Sequence, residues 1–191
     1  MTRREVQISG FGGQGIVLAG YILGKAAAIY DGMEATFTQS YGPESRGGAC
    51  SAQVILADEP IHYPHLIQPQ VLVAMSQQAC NTYLPALAKD GILIVDEDLV
   101  EPPDVPSTVQ VYRVPATRLA EEMGFAMGAN IVMLGFLVGV TDLVSLDALR
   151  KAVETSVPGG TAEVNLRALA KGLEEARRAK EARITLPREE G

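Results

Sequence analysis

With 191 residues, 47% of them hydrophobic and 20% charged, the chain has the size and composition of one soluble globular domain with a sizeable core. Its net charge of −7 argues against a nucleic-acid surface, which needs a basic field. Two cysteines, Cys50 and Cys80, are too few for a disulfide framework and too far apart for the Cys-x-x-Cys spacing of a zinc or iron–sulfur site.

Met1-Thr2-Arg3-Arg4 runs straight into Glu5 and a strand-like segment, without the apolar stretch of a leader. Val6 to Phe11 reads as a short buried strand with Val6 and Ile8 on one side, and a glycine-rich turn follows it. Ile16-Val17-Leu18-Ala19 opens a helix that continues through Leu23 and Ala28, and Met33 to Tyr41 has strand character. After a loop from Gly42 to Gly48, Ala49 to Leu56 alternates as a strand with Cys50, Ala52, Val54 and Leu56 on one face. Val71 to Met75 and Ile92 to Val95 are continuous apolar runs, as expected of central strands buried on both faces. A helix is predicted between them from Ala79 to Ala88, and one more strand from Val109 to Val114.

Beyond Pro115 the pattern becomes helical. It predicts a short helix from Arg118 to Met123, a buried one from Ala129 to Val140, and a third from Leu146 to Val157. A final helix, about Ala162 to Ala182, carries Leu166, Leu169 and Leu173 on one stripe. The longest apolar segment, Ile131 to Val140, is shorter than a bilayer span. Basic residues are sparse from Gly47 to Tyr112, where Lys89 stands alone, and dense after Lys151, which reads as a mixed-charge helical end. The expected fold is α/β: a single doubly wound, Rossmann-like domain over residues 1–183, its mostly parallel sheet flanked by helices on both faces, with a helical C-terminal end. Residues 184–191 read as a flexible tail. A reduced, cytoplasmic protein that binds neither nucleic acid nor membrane is the simplest expectation.

Gly10-Phe11-Gly12-Gly13-Gln14-Gly15 satisfies G-x-G-x-x-G between a predicted strand and a predicted helix. Glycines there permit a tight turn and close backbone approach to a phosphate, which the helix N-terminus favours. They equally let a strand and a helix pack closely. A dinucleotide site also needs a carboxylate at the end of the second strand. Asp31 has roughly the right separation but precedes that strand, and the strand ends in Thr38-Gln39-Ser40-Tyr41 without an acid. An autonomous nucleotide-binding module is therefore the second reading of this turn.

Ser40-Tyr41-Gly42-Pro43-Glu44-Ser45-Arg46-Gly47-Gly48 is the most distinctive stretch. A loop restrained by glycine and proline at the carboxyl end of a strand is where sites collect in open α/β sheets. Glu44 and Arg46, two residues apart, can orient a partner or an anion, or close on each other as an internal ion pair. Elsewhere, Asn130 has the position of a helix N-cap. Pro64 between His62 and His65 disfavours a helical metal pair. Asp96-Glu97-Asp98 is expected as a solvated strand exit rather than a cation site, and Cys50 as a small core residue. No nucleophile, base and orienting group assemble from the sequence, so no catalytic residue is assigned.

Taken together, the opening Gly-Phe-Gly-Gly-Gln-Gly, the Ser40–Gly48 loop, Gly128-Ala129-Asn130 with Met133-Leu134-Gly135, and the late Asn165 and Gly172 resemble the gamma subunit of 2-oxoacid:ferredoxin oxidoreductases, in order, to about Ala179. The resemblance implies a complex that oxidatively decarboxylates a 2-oxoacid, passes the acyl group to coenzyme A as co-substrate, and reduces ferredoxin. It implies that thiamine diphosphate, Mg and the iron–sulfur clusters lie in partner alpha and beta subunits, with a ferredoxin-like delta subunit in some complexes, and that this subunit alone binds no cofactor. Tyr41, Gly42, Pro43, Glu44, Arg46, Gly47, Gly48 and Asn130 would then lie on the substrate and coenzyme A side or at a subunit interface, beside the glycine turn of Gly10, Gly12, Gly13, Gln14 and Gly15. The Tyr-Gly-Pro-Glu-x-Arg-Gly-Gly form looks most like the 2-oxoglutarate enzymes. Ser45 and Gly48 depart from the pyruvate type, and the branched-chain 2-oxoisovalerate enzymes stay close.

Overall fold

A computed structural model describes residues 3–41 and 48–185, without the side chains of residues 41, 184 and 185. Six strands form one sheet: β1 (Arg4–Phe11), β2 (Glu34–Tyr41), β3 (Ala49–Ala57), β4 (Val71–Ala74), β5 (Ile92–Asp96) and β6 (Gln110–Val114). The helices are α1 (Ile16–Lys25), α2 (Gln77–Tyr83), α3 (Ala116–Glu122), α4 (Ala129–Thr141), α5 (Leu146–Glu154) and α6 (Ala162–Thr185). The sheet order is β2-β3-β1-β4-β5-β6. Strands β1, β4, β5 and β6 pair in parallel, whereas β3 runs antiparallel to both β1 and β2. The sheet is thus mostly parallel, as expected, but its second and third strands form a hairpin. Part of the tail expected from residue 184 lies outside the described residues.

Strand alternation divides the core into two unequal layers. Val6, Ile8, Cys50, Ala52, Val54, Leu56, Val71, Val73 and Ile94 face a large cluster built with α1, α3, α4, α5 and α6. Leu72, Ala74, Leu93 and Val95 point the other way, into a small cluster with Cys80, Leu87 and Val100. All four residues of β4 are buried, which explains its unbroken apolar run. Helix α4, apolar almost all round, is buried along its length. It packs on α6 through glycines: a Cβ on Gly172 would run into the Val132 carbonyl and stand 2.8 Å from the Phe136 nitrogen. Leu169 is buried on that face of α6, with Leu166 and Leu173 packed around it, as the predicted stripe required.

Some boundaries differ for local reasons. The helix predicted from Ala79 to Ala88 gives way after Tyr83 to a 3-10 turn, Leu84–Ala86, that contains Pro85. Helix α1 is followed by a π-helical turn, Ala26–Tyr30, whose last hydrogen bond runs from the Asp31 amide to the Ala26 carbonyl. Among the described residues no helix is long and apolar enough to cross a membrane.

Candidate functional site

Strand register brings the two sequence motifs to one end of the sheet. Gly10 lies opposite Cys50, and Cys50 lies opposite Tyr41 on its other side, so the glycine turn after β1 shares a sheet end with the end of β2 and the start of β3. Gly42, Pro43, Glu44, Ser45, Arg46 and Gly47 lie outside the described residues, and the Tyr41 backbone and Gly48 anchor them. The carboxyl ends of β4, β5 and β6 are at this same end, by their parallel register with β1.

The turn is held by Gln14. Its amide oxygen accepts the Phe11 backbone N–H at 2.7 Å, and its amide nitrogen donates to the Met75 carbonyl at 2.9 Å. One side chain therefore closes the turn and ties β1 to the end of β4. Gly13 and Gly15 have φ of 93° and 74°, a left-handed backbone that favours glycine. Nothing lies near a Cβ built on Gly12 or Gly13, so their backbone faces open space. Gly15 is different: a side chain there would meet Asn130, with the Asn130 Cγ at 2.7 Å.

Of the two roles its sequence position allowed, a helix cap or an interface residue, Asn130 does not fill the first. The cap of α4 is Gly128, and Asn130 is buried in the first turn, where its amide donates to the Gly15 carbonyl at 3.1 Å. Gly128-Ala129-Asn130 is thus the clasp that fixes α4 to the glycine turn. That contact spans more than a hundred residues of sequence, which is why local pattern assigned it to capping.

The dinucleotide reading loses its second element in this topology. The neighbours of β1 are the antiparallel β3 and the parallel β4, so the end of β2 is one strand removed from the turn. Asp31 serves elsewhere: its carboxylate accepts the Ser145 amide and hydroxyl, both at 2.6 Å, while the Ser145 oxygen caps α5 by accepting the Ala148 amide.

Two depressions flank the turn. One, about 550 Å³, is lined by Phe11, Gly12, Gly13, Val17, Tyr21 and Cys50, among others. The other, about 170 Å³, sits at the ends of the parallel strands between Gln14, Met75, Leu99, Thr117 and Met127. Their rims carry exposed apolar side chains: Phe11, Tyr21, Leu99 and, above all, Met127 at 86%. Sequence reasoning missed this rim. Met127 lies in a 3-10 turn, Ala126–Gly128, with no periodicity to mark which way it points. Cys50 is buried as expected and lines the larger depression, where desolvation raises its thiol pKa.

The acidic run at the end of β5 is a solvated exit at Glu97 and Asp98, as expected, but not at Asp96. Asp96 is fully buried and accepts the Thr117 amide and hydroxyl at 2.9 and 2.7 Å, fixing the start of α3. Asp98 pairs with Arg118 through two contacts of 3.0 Å. His62 and His65 belong to the opposite end of the sheet, where the His65 carbonyl accepts from Arg3 and its ring meets Tyr63 edge-on.

Comparisons with known proteins cover most of the chain. The pyruvate ferredoxin/flavodoxin oxidoreductase family matches residues 5–175. The 2-oxoglutarate synthase subunit KorC of Methanocaldococcus jannaschii is 51% identical over 177 residues, which is 92% of this chain and 95% of that one. The ketoisovalerate oxidoreductase subunit VorA of Methanothermobacter thermautotrophicus is 34% identical, over 91% of this chain but 36% of its own length. Among solved structures, the gamma subunit of a keto/oxoacid ferredoxin oxidoreductase from Geobacter sulfurreducens superposes with a TM-score of 0.82 at 41% identity, covering 92% of this chain and 99% of that one.

Proposed function

Since the chain belongs to the pyruvate ferredoxin/flavodoxin oxidoreductase family, as a gamma-type subunit of an oxoacid:ferredoxin oxidoreductase, we propose that it serves a complex acting on 2-oxoglutarate. In this reading 2-oxoglutarate loses carbon dioxide, the remaining acyl group passes to coenzyme A, and the electrons go to ferredoxin. Thiamine diphosphate, Mg and the iron–sulfur clusters belong to the partner alpha and beta subunits and to a ferredoxin-like delta subunit, in the cytoplasm. Residues 1–183 act as a single gamma-type domain whose task is assembly and the shaping of the coenzyme A side of the active site.

The observation that carries the assignment is that the Gln14-braced glycine turn lies at the same sheet end as Tyr41 and Ala49, the strand ends that flank the Arg46 motif. The bare backbone at Gly12 and Gly13 and the apolar rim of Phe11, Leu99 and Met127 give that end the chemistry of a surface completed by another subunit. Arg46 supplies the cation for a carboxylate or phosphate, or for an acidic partner residue. Preference for 2-oxoglutarate over pyruvate rests on the loop form and on the likeness to KorC.

The test is a substrate panel on the complex purified with its neighbouring subunits. Dye reduction that depends on 2-oxoglutarate and coenzyme A, well above the rate with pyruvate or 2-oxoisovalerate, is the expected result. Preference for either other acid overturns the substrate assignment. Arg46→Ala should impair turnover or association of this complex while the subunit stays folded. Unchanged kinetics together with unchanged association would remove Arg46 from the site.

A further inference from the structure

Among the described residues, β6 is the edge of the sheet on the parallel side, with β5 as its one strand neighbour. The Gln110 amide donates to the Gly91 carbonyl, and the Val114 carbonyl accepts from the Glu97 amide, both toward β5. By alternation, the main-chain groups of Val111 and Arg113 point away from the sheet. Gln110-Val111-Tyr112-Arg113-Val114 is rich in β-branched and aromatic residues, and an open edge of that composition is a template for pairing with another chain. Arg113 is the basic residue of the strand, and Glu101 already holds its guanidinium.

The edge is covered from within the chain. Arg183, near the end of α6, donates to the outward Val111 carbonyl and to the Gln110 side-chain oxygen, each at 3.0 Å. Its guanidinium also stands 4.0 Å from the centre of the Tyr112 ring, and that ring meets Phe136 of α4 edge-on at 5.9 Å. Tyr112 is therefore only 8% exposed, although it belongs to an edge strand. A flat guanidinium can stack on a ring while its forked N–H groups reach two acceptors, which a lysine ammonium cannot do.

Helical spacing explains how Arg183 arrives there. Leu169 and Ala176 are buried on the face of α6 that packs on the core, Ala179 packs beside them, and Arg183 is one turn further on the same face. The core stripe thus ends in a cation that reaches past α4 to the sheet edge. The family match ends at residue 175, so this contact lies beyond the matched region.

We infer that the end of α6 is a strap that closes the β6 edge, with Arg183 as its latch, and that it keeps this edge from pairing with the β6 of a second copy. Latched, Arg183 occupies the Val111 carbonyl that an added strand would need. Released, it leaves the outward groups of Val111 and Arg113 open, and two identical edges can then pair antiparallel about a two-fold axis. The inference does not depend on the function proposed above.

Sedimentation of the full chain at rising concentration, with amide hydrogen exchange read at Val111 and Arg113, tests this. In Arg183→Ala the circular dichroism should match that of the native chain. Exchange at those two amides should slow at least tenfold as concentration rises, while the variant comes to sediment as a dimer. In the native chain their exchange should be independent of concentration. Should Arg183→Ala lose its fold, Arg183→Lys, which keeps the charge without the fork, must show the same concentration-dependent protection. Exchange at Val111 and Arg113 that ignores concentration in the variant overturns the inference, whether the chain stays monomeric or associates through another surface. Equal protection in the native chain and the variant also overturns it, because the strap would then block nothing.

Discussion

Where β1 begins, a buried carboxylate fastens the chain to itself; where β1 ends, bare backbone and apolar side chains face outward. At the first end Glu5 accepts the Ile67 and Gln68 amides at 2.7 and 2.8 Å and pairs with Arg3 at 2.7 Å. Arg3 in turn donates to the Tyr63 and His65 carbonyls, so the connection from β3 to β4 is strapped across the sheet. At the other end Asp96 holds the start of α3 through Thr117, but the glycine turn itself carries no charged group. Gln14 and Asn130 brace the turn, and around them Phe11, Leu99 and Met127 stay exposed. Both ends expose apolar side chains, Ile67 and Tyr63 at the first and Met127 at the second, but among the described residues only the first is strapped by an ion pair to a buried carboxylate. The second also leaves the backbone of Gly12 and Gly13 bare, and in the proposed reading that is the side a partner subunit covers.

Breaking the closed end should have the largest effect. Glu5→Ala leaves two amides and an arginine without their buried acceptor, and unfolding in urea should show a loss of about 3 kcal/mol. Gln14→Ala at the open end removes two hydrogen bonds between neutral groups and strands no charge, so the same measurement should show about 1 kcal/mol. A loss at Gln14 equal to that at Glu5 would erase the contrast between the ends. Met127→Ser should change stability by less than about 0.5 kcal/mol, because so exposed a side chain has little burial to lose, yet weaken association with the partner subunits in a pull-down.

Cys50 gives the smallest effect and a pH dependence. Burial raises its pKa above the ordinary 9.0, so the folded chain holds a proton that the unfolded chain releases. That contribution is complete below the unfolded value and is lost as pH rises through the folded one. Urea stability should therefore fall more between about pH 8 and pH 10 in the native chain than in Cys50→Ala. Parallel declines would show that the thiol is not desolvated.

Much of this was legible from residue pattern. Val71–Ala74 and Ile92–Asp96 announce central strands, because burial on both faces leaves no polar alternation to confuse them. The glycine turn and the Ser40–Gly48 loop were legible as motifs, but not as neighbours. Their adjacency depends on β3 returning antiparallel beside β1, and alternation in Cys50, Ala52, Val54 and Leu56 fixes a face without fixing a direction. Asn130, Asp96 and Asp31 were misread or left open for one shared reason. Each makes its decisive hydrogen bonds to a distant segment, at Gly15, Thr117 and Ser145 respectively, and local spacing carries no trace of such a contact. The exposure of Met127 was equally silent, since a single apolar residue in a short turn has no period.

The most direct test of the central claim is omission. The partner subunits are purified with and without this chain, and coenzyme A-dependent dye reduction with 2-oxoglutarate is followed in each. A gamma subunit predicts little or no turnover without the chain and recovery when it is added back. Full turnover in its absence would contradict the account.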